Sequence, residues 1–103
     1  MAESGFVAVL VIDLHFPEAG SLKGKRKELS SIKAQLRGRL GVAVAEVDHH
    51  DLWQRARLTA ALTSGSLTTL GAATDGVERW LHARLPDGVH VERMLVSVED
   101  LRC

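Results

Sequence analysis

The segment from Phe6 to Phe16 constrains the fold more than any other part of this chain. On an extended backbone it sends Phe6, Ala8, Leu10, Ile12, Leu14 and Phe16 to one side. Val7, Val9, Val11, Asp13 and His15 go to the other. Both faces are apolar over the first half, the pattern of a strand in the middle of a sheet with cover on both sides. The run is too short for a membrane span, which needs roughly 20 apolar residues, and no basic residues precede it as in a signal core. A strand is expected.

The periodicity then changes. Pro17 to Gly20 reads as a turn and Ser21 as a helix N-cap. Leu29, Ile32, Leu36 and Leu40 follow at spacings of three and four, so a helix to about Leu40 is expected, ended by Gly41. Val42 to Asp48 alternates and turns acidic, as a strand near a sheet edge would. Trp53 to Thr63 alternates again, with Ala56, Leu58, Ala60 and Leu62 on one face. A second helix is expected from about Leu67 to Arg84, with Leu70, Ala73, Val77, Trp80 and Leu81 as its buried stripe. Pro86, Asp87 and Gly88 signal a turn. Val89 to Val98 reads as the last strand, and a slip in its pattern between Val91 and Met94 predicts a bulge.

Strand, helix, strand, strand, helix, strand is the ferredoxin-like βαββαβ order. An α+β fold is expected, with an antiparallel four-stranded sheet and two helices on one face. At 103 residues, 46% hydrophobic and 25% charged, the chain is the size of a single domain, residues 1–103, and buries roughly two-thirds of its unfolded surface. The face opposite the helices would expose Val7, Val9 and Val11. That makes them a candidate dimer face, since self-association is the simplest way to cover such a surface.

Cysteine occurs once, at Cys103. One thiol makes neither an internal disulfide nor a cysteine-based zinc site, and a cytoplasmic setting is expected. The formal net charge of zero conceals an asymmetry. Between Ser21 and Leu40 seven basic residues face Glu28 alone, a local charge of +6, so the remainder carries −6. On an ideal helix Lys23, Arg26, Lys27, Lys33 and Arg37 fall within roughly 120° of one another, beside the buried stripe. Five cations on one face suit a nucleic-acid backbone, and each neutralised phosphate adds salt-dependent affinity. Base stacking of the RRM kind is not expected, because the first strand presents valines and the chain has no tyrosine.

The other polar concentration is Glu46-Val47-Asp48-His49-His50-Asp51-Leu52-Trp53-Gln54-Arg55. Histidines flanked by carboxylates are the materials of a zinc site or of general acid–base catalysis. The spacing disfavours both. Adjacent histidines diverge on a strand, and no serine or cysteine nucleophile or phosphate loop accompanies them. The plainer expectation is a hairpin corner in which Asp48 and Asp51 cap turn amides, Trp53 packs at the sheet end and Arg55 pairs with an acid. No catalytic residue, metal, cofactor or small-molecule substrate is expected.

With Ser21-Leu22-Lys23-Gly24-Lys25-Arg26 and the run from Val44 to Ala56 side by side, the chain resembles the bacterial YlxP-like family of unknown function. The resemblance extends from about Phe6 to Val98. It implies a ferredoxin-like fold and homodimers. It implies also, through gene neighbourhoods shared with translation initiation, antitermination and ribosome maturation, an association with RNA or ribosomes. His50 stands where that family usually has glutamine, and Gly24 where it usually has an acidic or polar residue. Three functions follow as expectations. The first is a non-enzymatic, RNA- or ribosome-associated module acting through the basic helix. The second is a metal or catalytic protein using the Glu46 to Arg55 corner. The third is a structural homo-oligomer built through the open sheet face.

Overall fold

A computed structural model describes residues 4–102; Cys103 lies outside the described residues. The element order is β1 (Phe6–His15), α1 (Leu22–Gly38), β2 (Ala43–Asp48), β3 (Arg55–Ser64), α2 (Leu67–Arg84) and β4 (Val89–Ser97), then a short 3₁₀ turn at Val98–Leu101. The strands form one antiparallel sheet in the order β2-β3-β1-β4. This is the ferredoxin-like α+β arrangement read from the periodicities.

The strand with two apolar faces does lie inside the sheet, paired with β3 and β4 along its length. Ala8, Leu10, Ile12, Leu14 and Phe16 are buried. They meet Ala56, Leu58, Ala60 and Leu62 of β3, Leu29, Ile32 and Leu36 of α1, and Leu70, Val77 and Leu81 of α2 in one core. Burying a leucine or isoleucine side chain contributes roughly 1.5–3 kcal/mol, so this single layer dominates the stability of the domain.

Each helix starts as its sequence indicates. Ser21 and Ser66 are extended, and their hydroxyls accept the amides of Gly24 at 3.0 Å and Thr69 at 3.2 Å. α1 ends at Gly38, earlier than Leu40. Gly41 takes φ +66°, and Val42 N–H reaches back to the Leu36 carbonyl at 2.9 Å. In α2 the buried position is Thr74, not the expected Ala73, which is exposed. The Thr74 hydroxyl can be inside because it donates to the Leu70 carbonyl at 2.8 Å.

The expected bulge in β4 is absent, and its register against β1 is continuous from Val89 to Ser97. Arg93 interrupts the alternation because it points to the helix side, where it pairs with Asp75 at 2.8 Å and with Glu78 of α2. The irregularity lies in β2 instead, between Glu46 and Asp48. It lets Glu46 face the helices while Asp48 faces the open side.

Candidate functional site

α1 carries Arg26, Lys33 and Arg37 on the side where Arg37 reaches β2, and Lys23 and Lys27 nearer its outer face. Its one acid, Glu28, points the other way and meets Arg84 of α2 at 3.2 Å. Lys23, Arg26 and Lys27 are exposed and Lys33 is half-buried. Among the described residues none of these four has a carboxylate within ion-pairing distance. Arg37 belongs to the same stripe but is committed, donating to the Val44 carbonyl of edge strand β2 at 2.8 Å.

One cation of the segment leaves the surface altogether. Lys25 is 1% exposed and continues the apolar stripe of Leu29, Ile32 and Leu36. Its ammonium donates to the His49 carbonyl at 2.8 Å and to Glu46 Oε2 at 3.3 Å. A buried ammonium needs such partners, because an unpaired one would cost several kcal/mol. The signal in the sequence is position: Lys25 stands four residues before Leu29, on the face that must be inside.

The same bonds build the hairpin corner. His49 takes φ +62°, and its amide donates to Asp48 Oδ1 at 2.7 Å. Its carbonyl also accepts from Leu52 N–H at 3.1 Å, closing the turn. This amide bond and the nearby His49 ring hold the Asp48 carboxyl below its ordinary range. The two histidines separate, His49 Nδ1 lying 3.8 Å from Asp48 and His50 Nε2 3.9 Å from Glu46. Among the described residues no three histidine, aspartate or glutamate side chains gather in a metal-binding group.

The Gln54 carbonyl accepts Phe16 N–H at 2.8 Å and its side-chain amide reaches the Pro17 carbonyl at 3.5 Å. Asp51 makes no capping bond among the described residues, so Asp48 alone fills that role. Trp53, expected to pack, is 50% exposed because β3 begins only at Arg55. Arg55 is exposed, without an ion pair among the described residues; it lines a shallow groove of about 430 Å³ with Asp13, His15, Asp87, Gly88 and His90.

The open side of the sheet is graded along the strands. At one end Asp48, Arg57, Asp13 and His90 stand side by side across β2, β3, β1 and β4. Arg57 donates to both Asp13 oxygens, at 2.8 and 3.3 Å. That bond holds the Asp13 carboxyl below its ordinary value, against the opposing effect of burial, and raises the Arg57 guanidinium. At the other end the row is Ala43, Ala61, Val9 and Met94, followed by Thr63, Val7 and Val96.

Residues 7–94 match the profile of a family described as a protein of unknown function, DUF503. The chain belongs to the DUF503 family. It is also 37% identical, over 49 residues, to the uncharacterized protein YlxP of Bacillus subtilis (strain 168). That match covers 48% of this chain and 53% of YlxP, so the chain spans about half the length of that relative. Among solved structures the de novo designed protein Foldit4 superposes with a TM-score of 0.61 over 91% of this chain and 98% of its own. At 11% identity this likeness concerns the fold alone. For a DUF503 chain the fold and the family therefore stand together, and neither by itself specifies an activity.

Proposed function

We propose that this DUF503 chain is a non-enzymatic binding module that docks the phosphate backbone of RNA, free or on a ribosomal particle, along the cationic side of α1. The observation that carries the reading is the free state of Lys23, Arg26, Lys27 and Lys33. Elsewhere among the described residues Arg57, Arg84, Arg93 and Arg102 have carboxylate partners, and the two unpaired arginines, Arg55 and Arg79, stand singly on different elements rather than in a cluster. Cations that fold stability does not use are available to a polyanion, and a helix holds them at fixed spacing. Such contacts position a backbone without reading its sequence. The corner, by contrast, uses Glu46, Asp48 and the His49 backbone to hold the hairpin, leaving little there for chemistry.

The test is fluorescence anisotropy of a mixed-sequence single-stranded RNA against salt. Four phosphate contacts give a slope of about −3 in log K against log salt, roughly a fifty-fold loss of affinity between 50 and 200 mM. The triple variant Arg26→Glu, Lys27→Glu, Lys33→Glu should abolish binding while its circular-dichroism melt stays intact. Salt-independent binding, or a triple variant that binds like the parent, would sink the reading.

A further inference from the structure

We infer that the open sheet face is a self-complementary surface whose partner is a second copy of this chain, related by a two-fold axis running parallel to the strands between β1 and β3. Two observations carry this, and neither involves the α1 cations.

The first is the order of charge. Across the sheet the polar row reads Asp48, Arg57, Asp13, His90, so acid and base alternate through Asp13 and an imidazole ends the row. A two-fold axis along the strands keeps polar end on polar end and reverses the row from left to right. Arg57 then meets the second copy's Asp13, and Asp48 meets the second copy's His90. Each contact occurs twice, as an isologous interface requires. The other aligned choice, an axis across the strands, would lay the Asp13–Arg57 pair on the other copy's Val7 and Thr63 and bury charge against apolar surface. His15 and Arg55 form the next row on this face, two residues further along β1 and β3, and the same axis sets Arg55 against the second copy's His15 at the exposed rim, where solvent screens the two. Asp87 lines the groove beside them, and Glu92 of β4 would meet Ala45 of β2 in the second copy, both on edge strands where the carboxylate keeps its access to water.

The second is the distribution of size. On this face β1 and β4 carry the large side chains, Val7, Val9, Val11, Met94 and Val96. β2 and β3 carry the small ones, Ala43, Ala45, Thr59, Ala61 and Thr63. The same axis places β1 over β3 and β4 over β2, so Val9 meets Ala61 and Met94 meets Ala43. Met94 is 42% exposed in the single chain, and this arrangement covers it.

Four strands about 4.8 Å apart and about eight residues long give a face of roughly 500 Å². A pair therefore buries about 1,000 Å², the lower bound for specific association. Aligned packing of the two sheets about 10 Å apart makes a four-layer sandwich with the helices outside.

Sedimentation velocity from 1 to 200 µM should show a monomer–dimer equilibrium. Val9→Glu and Met94→Glu should each weaken it at least tenfold, and Met94 is exposed enough that its variant retains the fold. Orientation is read by cysteine pairing. In a Cys103→Ser background, Ala43→Cys with Met94→Cys should be joined by a bismaleimide of about 8 Å reach into a covalent species that stops at the dimer, since sheets about 10 Å apart are too distant for a direct disulfide. Within one chain these positions are three strand spacings apart, about 14 Å, too far for an internal link by the same reagent. A monomer at every concentration, a dimer indifferent to both glutamates, or a dimer that does not crosslink at this pair would overturn the inference.

Discussion

The Lys25 ammonium, carried by the first turns of α1, donates to the His49 carbonyl at the tip of the β2–β3 hairpin, 24 residues further along the chain. With the second bond to Glu46, it joins a helix start to a strand end that no local turn would hold together. Lys25→Ala would leave the Glu46 carboxylate and the His49 carbonyl without their shared donor. We expect a loss of about 2–4 kcal/mol in urea unfolding. Lys25→Met keeps the stem volume and should lose about half as much. Equal losses for the two would assign the whole effect to the ammonium, and an undiminished stability in Lys25→Met would assign it to packing of the stem.

Asp13 and Arg57 give a prediction in pH. The folded carboxyl titrates below the ordinary aspartate value of 3.8, first because Arg57 hydrogen-bonds to it. A depressed folded pKa stabilises the native state above the unfolded value, and that contribution is lost as pH falls through the folded value. Stability should therefore decline on the acid side of about pH 4. In Arg57→Gln the decline attributable to Asp13 should disappear, and its carboxyl carbon should titrate at a higher pH by NMR. An unmoved titration would contradict the pairing.

The fold was legible because its signals are local. Two-residue alternation in Phe6–His15 and three-to-four spacing from Leu29 to Leu36 survive in any window of the sequence. What the sequence obscured depends on partners far along the chain. Arg93 reads as a broken strand pattern until α2 supplies Asp75 and Glu78, 18 and 15 residues away. Lys25 reads as one more surface cation until Glu46 and His49 arrive from the hairpin. The corner was legible in position but not in packing. Trp53 looks like a strand residue, yet the turn closed by His49 and Leu52 delays β3 to Arg55 and leaves the indole half exposed.

Three glycines should respond differently to alanine. At Gly88 an added Cβ would come within 2.6 Å of the His15 carbonyl oxygen, whose own residue donates its amide to Gly88 at 2.8 Å. Gly88→Ala must therefore displace the end of β1, at about 2–3 kcal/mol. Gly41 has open space around it but φ +66°, so Gly41→Ala should cost about 1 kcal/mol from backbone conformation alone. Gly71 is helical with nothing within 4 Å, and Gly71→Ala should stabilise α2 by about 0.5–1 kcal/mol. Thermal unfolding of the three variants should rank them in that order.

Arg26 and Arg37 lie on the same cationic flank but differ in what holds them, and this separates folding from binding. Arg37 spends its guanidinium on the Val44 carbonyl, whereas Arg26 has no bond among the described residues. Arg37→Ala should lower stability by about 0.5–1.5 kcal/mol, the net worth of one hydrogen bond. Arg26→Ala should change stability by less than about 0.5 kcal/mol, as surface substitutions do. In RNA titrations the ranking should reverse. Arg26→Ala removes a phosphate contact and flattens the salt slope by about 0.7, while Arg37→Ala leaves the slope near its parental value. If instead Arg37→Ala flattens the slope and leaves stability alone, the guanidinium releases Val44 to meet phosphate, and the contact surface extends to the edge of β2.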